Sequence, residues 1–339
     1  MTINVAIATF DAIVLGCDSL SSRTTQAVLP FTNGAGFAMD ADGKEMVDAY
    51  GNKVVSTAHL QTVVTDVFTG ARKMFLLYED DDCTVAAVTA GLAVLNGLTI
   101  AGTVARFRRE AAAQQSFRTV EEVVKAFKEY VRSEWEHFVK LDSIPSERVP
   151  YLPDLQFIIG GYSLDEISGA VYKVSIRNNS AEAQFGWETK SGACFAGQAD
   201  YVERLLTGVD SRFFDTLCQR ADEQILSARR AGANEVLKQL ETAKVAVPEG
   251  MQVELPEAWF DPGPFDSYAQ IDFANLPTQY AVELVELLVN LQSGMQRFQM
   301  GVATVGGRSH VGVIRRGEKF RMLNEPDLVH SHTGYNHDL

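Results

Sequence analysis

Residues 2–19 read Thr-Ile-Asn-Val-Ala-Ile-Ala-Thr-Phe-Asp-Ala-Ile-Val-Leu-Gly-Cys-Asp-Ser. Two β-type runs, 3–9 and 12–17, flank Phe10-Asp11 and read as a tight hairpin that begins almost at residue 1. The second run ends on Asp18, and an antiparallel return brings that acid back beside the start of the first run. There stands Thr2. Methionine removal is favoured before a small side chain, so processing of Met1 would make Thr2 the N-terminal residue. A threonine hydroxyl is a poor nucleophile until a base takes its proton. The α-amino group of the same residue, with an ordinary pKa of about 8, can serve as that base. Taken alone, Thr2 reads as an ordinary second residue.

Lys73 changes that reading. It opens a strand in Arg72-Lys-Met-Phe-Leu-Leu-Tyr78, and a buried lysine paired with an aspartate keeps its charge. Such a charge near the α-amine of Thr2 would draw the amine's pKa towards neutrality. Had Asp18 and Lys73 been surface residues, they would carry no such meaning.

Further along, residues 23–70 hold little pattern beyond the turn signals Asn33-Gly34, Asp42-Gly43 and Gly51-Asn52, which suggests loops and short hairpins. Strand-like runs resume at 73–77 and 84–88 around the acidic turn Glu79-Asp80-Asp81-Asp82. Leu92, Leu95, Leu98, Ile100, Val104 and Phe107 fit helical spacing, and Thr119-Val-Glu-Glu122 is a capping box opening a second helix. Pro145, Pro150 and Pro153 end that region. Runs at 155–162 and 169–176 read as another hairpin, with 187–196 as a third strand. Residues 200–244 are helical in pattern, 248–264 form a proline-containing acidic loop, and 279–298 a further helix. Strands are expected at 301–305, 309–314 and 320–323. No internal repeat is evident. Two antiparallel sheets with helices outside them would bury every apolar face, and an α+β domain of another arrangement fits the same pattern.

Composition narrows the function. The chain of 339 residues carries 30 Lys+Arg against 44 Asp+Glu, a formal charge of −14. Its basic runs are short, Arg106, Arg108, Arg109 and Arg315-Arg316, so no face is offered to a nucleic acid. No apolar run approaches the roughly 18 to 20 residues of a membrane span and no signal segment is evident, so a cytoplasmic location is expected. Cys17, Cys83, Cys194 and Cys218 stand singly, the pattern of reduced thiols. His330, His332 and His337 with Asp338 sit in a polar tail that reads as solvated, and Trp135-Glu-His137 as surface or assembly contact. Neither Gly160-Gly161 nor Gly306-Gly307 is followed by the residues of a phosphate loop. No metal or cofactor is expected.

The opening stretch resembles the N-terminus of the proteasome β-subunit superfamily, which includes the bacterial HslV and Anbu proteins. Residues 73–78 leading to Ala87-Val-Thr-Ala-Gly91, Phe157-Ile-Ile-Gly-Gly-Tyr-Ser163 with Ala170-Val-Tyr-Lys-Val174, and Gly306-Gly-Arg-Ser-His-Val-Gly-Val-Ile314 follow in the family's order. The resemblance implies a four-layer αββα sandwich of two antiparallel sheets flanked by helices, the N-terminal-nucleophile hydrolase fold. It also implies a threonine-type peptidase or amidase assembled into a homo-oligomeric ring or open spiral, acting on peptide or protein substrates. A separate ATP-driven unfoldase could serve it. Carried over by position, Thr2 matches the nucleophile, Asp18 its acidic partner, Lys73 the lysine between them, the Gly91 N–H the oxyanion donor and Ser22 a hydroxyl lining the substrate cleft.

There are departures. The interval between Asp18 and Lys73 is far longer than the family's and holds the rival lysines Lys44 and Lys53. Gly197-Gln198-Ala199 stands where a serine follows the glycine, and Ala303 and Gly306 stand where an aspartate and a serine support the nucleophile's amine. A non-catalytic assembly subunit and a small-molecule amidase remain as alternatives. The ordered matches span residues 2–314, so a single domain is expected, with insertions at about 24–70 and 211–275 and a tail from about 324.

Overall fold

The initial hairpin forms as read. β1 (Ile3–Ala8) and β2 (Ala12–Asp18) pair antiparallel with Asn4 opposite Cys17 and Ala8 opposite Ile13. Thr9 closes the turn, its hydroxyl oxygen accepting from the N–H groups of Asp11 and Ala12. Every residue of both strands is buried, so their apolar runs are continuous instead of alternating: each face is covered. The computed structural model describes residues 2–28, 36–40, 42–56, 60–110, 112–164, 166, 168–245 and 269–324.

The chain divides into two compact units, Met1–Ala199 with Asp272–Leu339, and Asp200–Ile271. In the first, one sheet orders β12 (Gly192–Gly197), β1, β2, β13 (Ser309–Arg315) and β14 (Arg321–Met322). A second orders β11 (Ser180–Phe185), β10 (Ala170–Ser175), β9 (Leu155–Ser163), β6 (Cys83–Gly91) and β5 (Met74–Glu79). All neighbours pair antiparallel. Ala6, Ile13 and Leu15 of the first sheet share one apolar cluster with Val88, Ile158 and Val171 of the second.

Another cluster joins Leu77, Val85 and Ile159 to Phe107 of α1 (Ile100–Glu110) and to Phe127 and Trp135 of α2 (Val120–Val139). α5 (Thr278–Gln296) packs on β1, β2 and β13. There a Cβ on Gly16 would lie 2.2 Å from Val285 Cγ1, so the helix approaches where the strand has no side chain. The unit is α+β.

The capping box is present: Thr119 Oγ1 accepts from the Glu122 N–H, and the Glu122 carboxylate accepts from the Thr119 N–H. Thr119→Ala is expected to lower stability by about 1 kcal/mol, read as a shifted urea midpoint with unchanged slope.

Four expectations are corrected. The helix after Gly91 begins only at Ile100, because Asn96-Gly97 turns a two-residue hairpin of β7 (Val94–Leu95) and β8 (Leu98–Thr99). Residues 187–196 are a turn followed by most of β12, which begins only at Gly192; β11 was missed because Ser180-Ala-Glu-Ala-Gln lacks strand formers. Residues 301–305 form no strand. Trp135 is wholly buried, its indole N–H donating to the Pro153 carbonyl, so it belongs to the core and not to a surface.

Residues 23–70 are also more ordered than their pattern implies. β3 (Ser21–Val28) and β4 (Leu60–Phe68) form a ribbon, and beyond it segments 36–40, 44–48 and 52–56 close on one another. The Ala38 N–H donates to Val54, Met46 to Ala38 and Val54 to Met46. Asp40 and Asp48, eight residues apart, start equivalent turns, each carboxylate accepting from the N–H groups two and four residues on. This is a short repeat, against the expectation of none.

In the second unit, α3 (Asp200–Thr207) and α4 (Ser211–Thr242) confirm the helical reading, with Asp210 capping α4 by accepting from the Phe213 N–H. The acidic loop 248–264 and the histidines of the tail lie outside the described residues.

Candidate active site

Three predicted residues meet. Thr2 precedes β1, Asp18 ends β2, and Lys73 directly precedes β5, so strand ends from both sheets supply the group. Lys73 Nζ donates to Thr2 Oγ1 at 2.5 Å, to Asp18 Oδ1 at 2.9 Å and to the Leu20 carbonyl. An ammonium has three N–H bonds, and here each has an acceptor. Asp18 is equally occupied: Oδ1 also accepts from the Ile3 N–H at 3.1 Å, and Oδ2 accepts from Leu20 at 3.2 Å and Gly306 at 3.0 Å. Its charge is thus buried with a cation and three backbone dipoles, the condition under which a buried carboxylate is tolerated.

The backbone around the trio is fixed by close approaches. The Thr2 carbonyl accepts from the Gln198 N–H at 2.7 Å, and Gln198 Oε1 accepts from the Thr304 hydroxyl at 2.8 Å. The Lys73 carbonyl accepts from Thr89, and Ser19 accepts from Ala71. Ser19 and Leu20 N–H groups donate to the Gly306 carbonyl, while Ser19 Oγ accepts from the Arg308 N–H at 2.8 Å. Gly307, at φ +78°, packs so closely that a Cβ would stand 2.5 Å from Ser19 Oγ.

The contribution of 304–308 was not read from sequence. The position aligned with a supporting serine is Gly306, and it acts through its N–H and carbonyl, which any residue name conceals. The Gly306-Gly307 pair was the only available signal.

The remaining predicted residues are placed less closely. Gly91 ends β6 two residues beyond Thr89, at φ +104°, where a Cβ would lie 2.3 Å from the Asp154 carbonyl oxygen. Ser22 stands at the root of the β3–β4 ribbon, half-buried, opposite Val67. The rival Lys53 pairs with Glu45 in the outer part of 36–56 and has no place at the trio.

Cys17, next to Asp18 in β2, is fully buried. Burial pushes its thiol far above the ordinary range, with Asp18 adding to the shift and Lys73 opposing it. Burial also raises Cys83 to about 12 and Cys194 to about 11. Iodoacetamide at about pH 8 is therefore expected to modify Cys218, the more accessible thiol, and to spare the other three, as read by peptide mass mapping. Alkylation of native Cys17 contradicts this.

No family model matches the chain, and no curated protein matches it. Among solved structures it is similar to the helical assembly of the Anbu complex from Pseudomonas aeruginosa, with 12% identity, a TM-score of 0.48 and coverage of 96% of this chain and 88% of that one. The Anbu Gly-1 mutant from Hyphomicrobium sp. strain MC1 gives 10% and 0.47 over 97% and 89%. Anbu, described as an ancestral beta-subunit, from Yersinia bercovieri gives 12% and 0.45 over 95% and 87%. The roles of individual residues rest on the geometry of the site.

Proposed function

We propose that the chain is a proteasome-like threonine hydrolase, cleaving peptide or amide bonds through Thr2. The observation that carries this reading is the Lys73 ammonium bridging Thr2 Oγ1 and Asp18 Oδ1. After loss of Met1, the Thr2 α-amine would take the hydroxyl proton as Oγ1 attacks the substrate carbonyl. Lys73, held in charge by Asp18, would stabilise the developing alkoxide and keep the amine from protonating early. The Gly91 N–H would receive the oxyanion and Ser22 would face the substrate. Collapse of the tetrahedral intermediate would pass the amine's proton to the leaving group and leave an ester on Thr2, which water then hydrolyses.

On this reading the two packed sheets and their helices are the inner and outer layers of an αββα sandwich, and residues 200–271 are an insertion in one domain. Homo-oligomeric assembly and a separate ATP-driven unfoldase belong to the same proposal. One observation favours the non-catalytic alternative: in the chain that retains Met1, Thr2 is only 4% exposed.

Two mass measurements on the native protein decide. Intact mass is expected to show loss of Met1. Incubation with a threonine-directed electrophile is expected to add one equivalent, mapped to the peptide that begins with Thr2. Retained Met1 together with no adduct overturns the catalytic reading and leaves the assembly subunit.

A further inference from the structure

At the free edge of the second sheet lies a cavity of about 500 Å³. Tyr172, Phe185 and Trp187 supply aromatic surface, and Glu166 and Glu188 supply carboxylates. β11 bulges against β10 between Val171 and Tyr172, and a bulge bends its strand and re-aims the side chains beside it. The following turn, closed by the Gly186 N–H to the Thr189 carbonyl at 2.9 Å, holds Trp187 outward, 64% exposed. A large aromatic in that position is the kind of residue that anchors an interface.

The electrostatics of the cavity favour one sign of ligand. Glu166 is half-buried, with Oε2 accepting from the Ser163 hydroxyl at 2.8 Å. Among the described residues neither Glu166 nor Glu188 has an ion-pair partner. A half-buried carboxylate without a counter-charge is costly, and a cation entering the cavity relieves it. The field is felt locally: the Tyr172 hydroxyl is raised by burial and further by Glu121 and Glu166. The indole of Trp187 already attracts a cation from the chain itself, Lys190 Nζ lying 4.9 Å from the ring centroid.

A guanidinium suits these walls better than an ammonium. It is flat, stacks on an aromatic face and offers paired N–H groups to a carboxylate. The adjoining strand supplies a second handle. Among the described residues β11 is the terminal strand of its sheet and one of its edges has no strand partner, so an extended segment can pair there.

We propose that this cavity binds an arginine side chain from an extended segment of another protein, the segment pairing along the outer edge of β11 and the guanidinium entering between Trp187 and Glu166. Nothing in this depends on chemistry at Thr2.

Calorimetric titration of the full-length protein with a five-residue valine–threonine peptide carrying a central arginine tests it. Saturable binding is expected, weakened at least about tenfold when citrulline replaces the arginine. Trp187→Ala and Glu166→Gln, checked for native circular dichroism, are each expected to weaken it by a similar factor. No binding, equal binding of the arginine and citrulline peptides, or unchanged binding by both variants overturns the proposal. So does the finding that Trp187→Ala dissociates an oligomer of this chain, since the cavity would then be a contact between copies.

Discussion

Lys73→Met is expected to cost about 3–5 kcal/mol of stability and to slow electrophile labelling of Thr2 by at least about a thousandfold, to the level of Thr2→Ala. The stability loss follows from what remains. Asp18 is fully buried and would lose its only ion-pair partner among the described residues, keeping the N–H groups of Ile3, Leu20 and Gly306. Three dipoles offset part of an ionic desolvation penalty and cannot replace a full charge 2.9 Å away. The Leu20 carbonyl would also lose a donor in a buried site.

The loss of labelling has a separate cause, which a double variant isolates. In Lys73→Met with Asp18→Asn the buried charge is gone, so much of the stability is expected to return, while the charge beside Oγ1 remains absent and labelling stays low. Urea unfolding and labelling rates on the four proteins of this cycle check both halves. Wild-type labelling by Lys73→Met removes Lys73 from the proposed chemistry even if the protein is less stable.

The trio was legible because each member is tied to a short, strongly patterned segment. β1 and β2 are continuous apolar runs with a two-residue turn, so their register, and with it the position of Asp18 beside Thr2, follows from the hairpin itself. Lys73 was readable as the polar residue immediately before an apolar strand. Residues 21–68 were not, because the side chains described in the β3–β4 ribbon are exposed or half-buried and impose no alternation on its sequence. The loop 304–308 was opaque for a different reason. Its work is done by the Gly306 backbone, and Val305, which reads as a strand residue, is buried while its neighbours turn the chain back towards Asp18. Trp135 was misplaced because a tryptophan beside Glu136 and His137 looks amphipathic in one dimension, while helical spacing puts it in line with Val131 and the other buried positions of α2.

Gly197→Ala is expected to be nearly as damaging as the loss of Lys73, although Gly197 carries no functional group. Its φ is +81°, a region that costs an L-residue roughly 1–2 kcal/mol. Strain is the smaller part. A Cβ there would lie 2.0 Å from the Thr2 carbonyl oxygen and 3.0 Å from its carbon, both backbone atoms, so neither can rotate aside. Because Gly197 pairs with Ile3 and the next residue donates to that same Thr2 carbonyl, relief requires β12 and the start of β1 to separate. The expected loss is about 3 kcal/mol or more, with Thr2 displaced from Lys73 and labelling reduced in proportion to that displacement and not to stability. Gly317→Ala separates the two contributions: φ there is +71° with nothing within 4 Å, so only the conformational cost applies. That control is expected to lose about 1 kcal/mol and to label at the wild-type rate. If Gly197→Ala behaves like Gly317→Ala in both measurements, the close approach of β12 to the Thr2 carbonyl is not what positions the nucleophile.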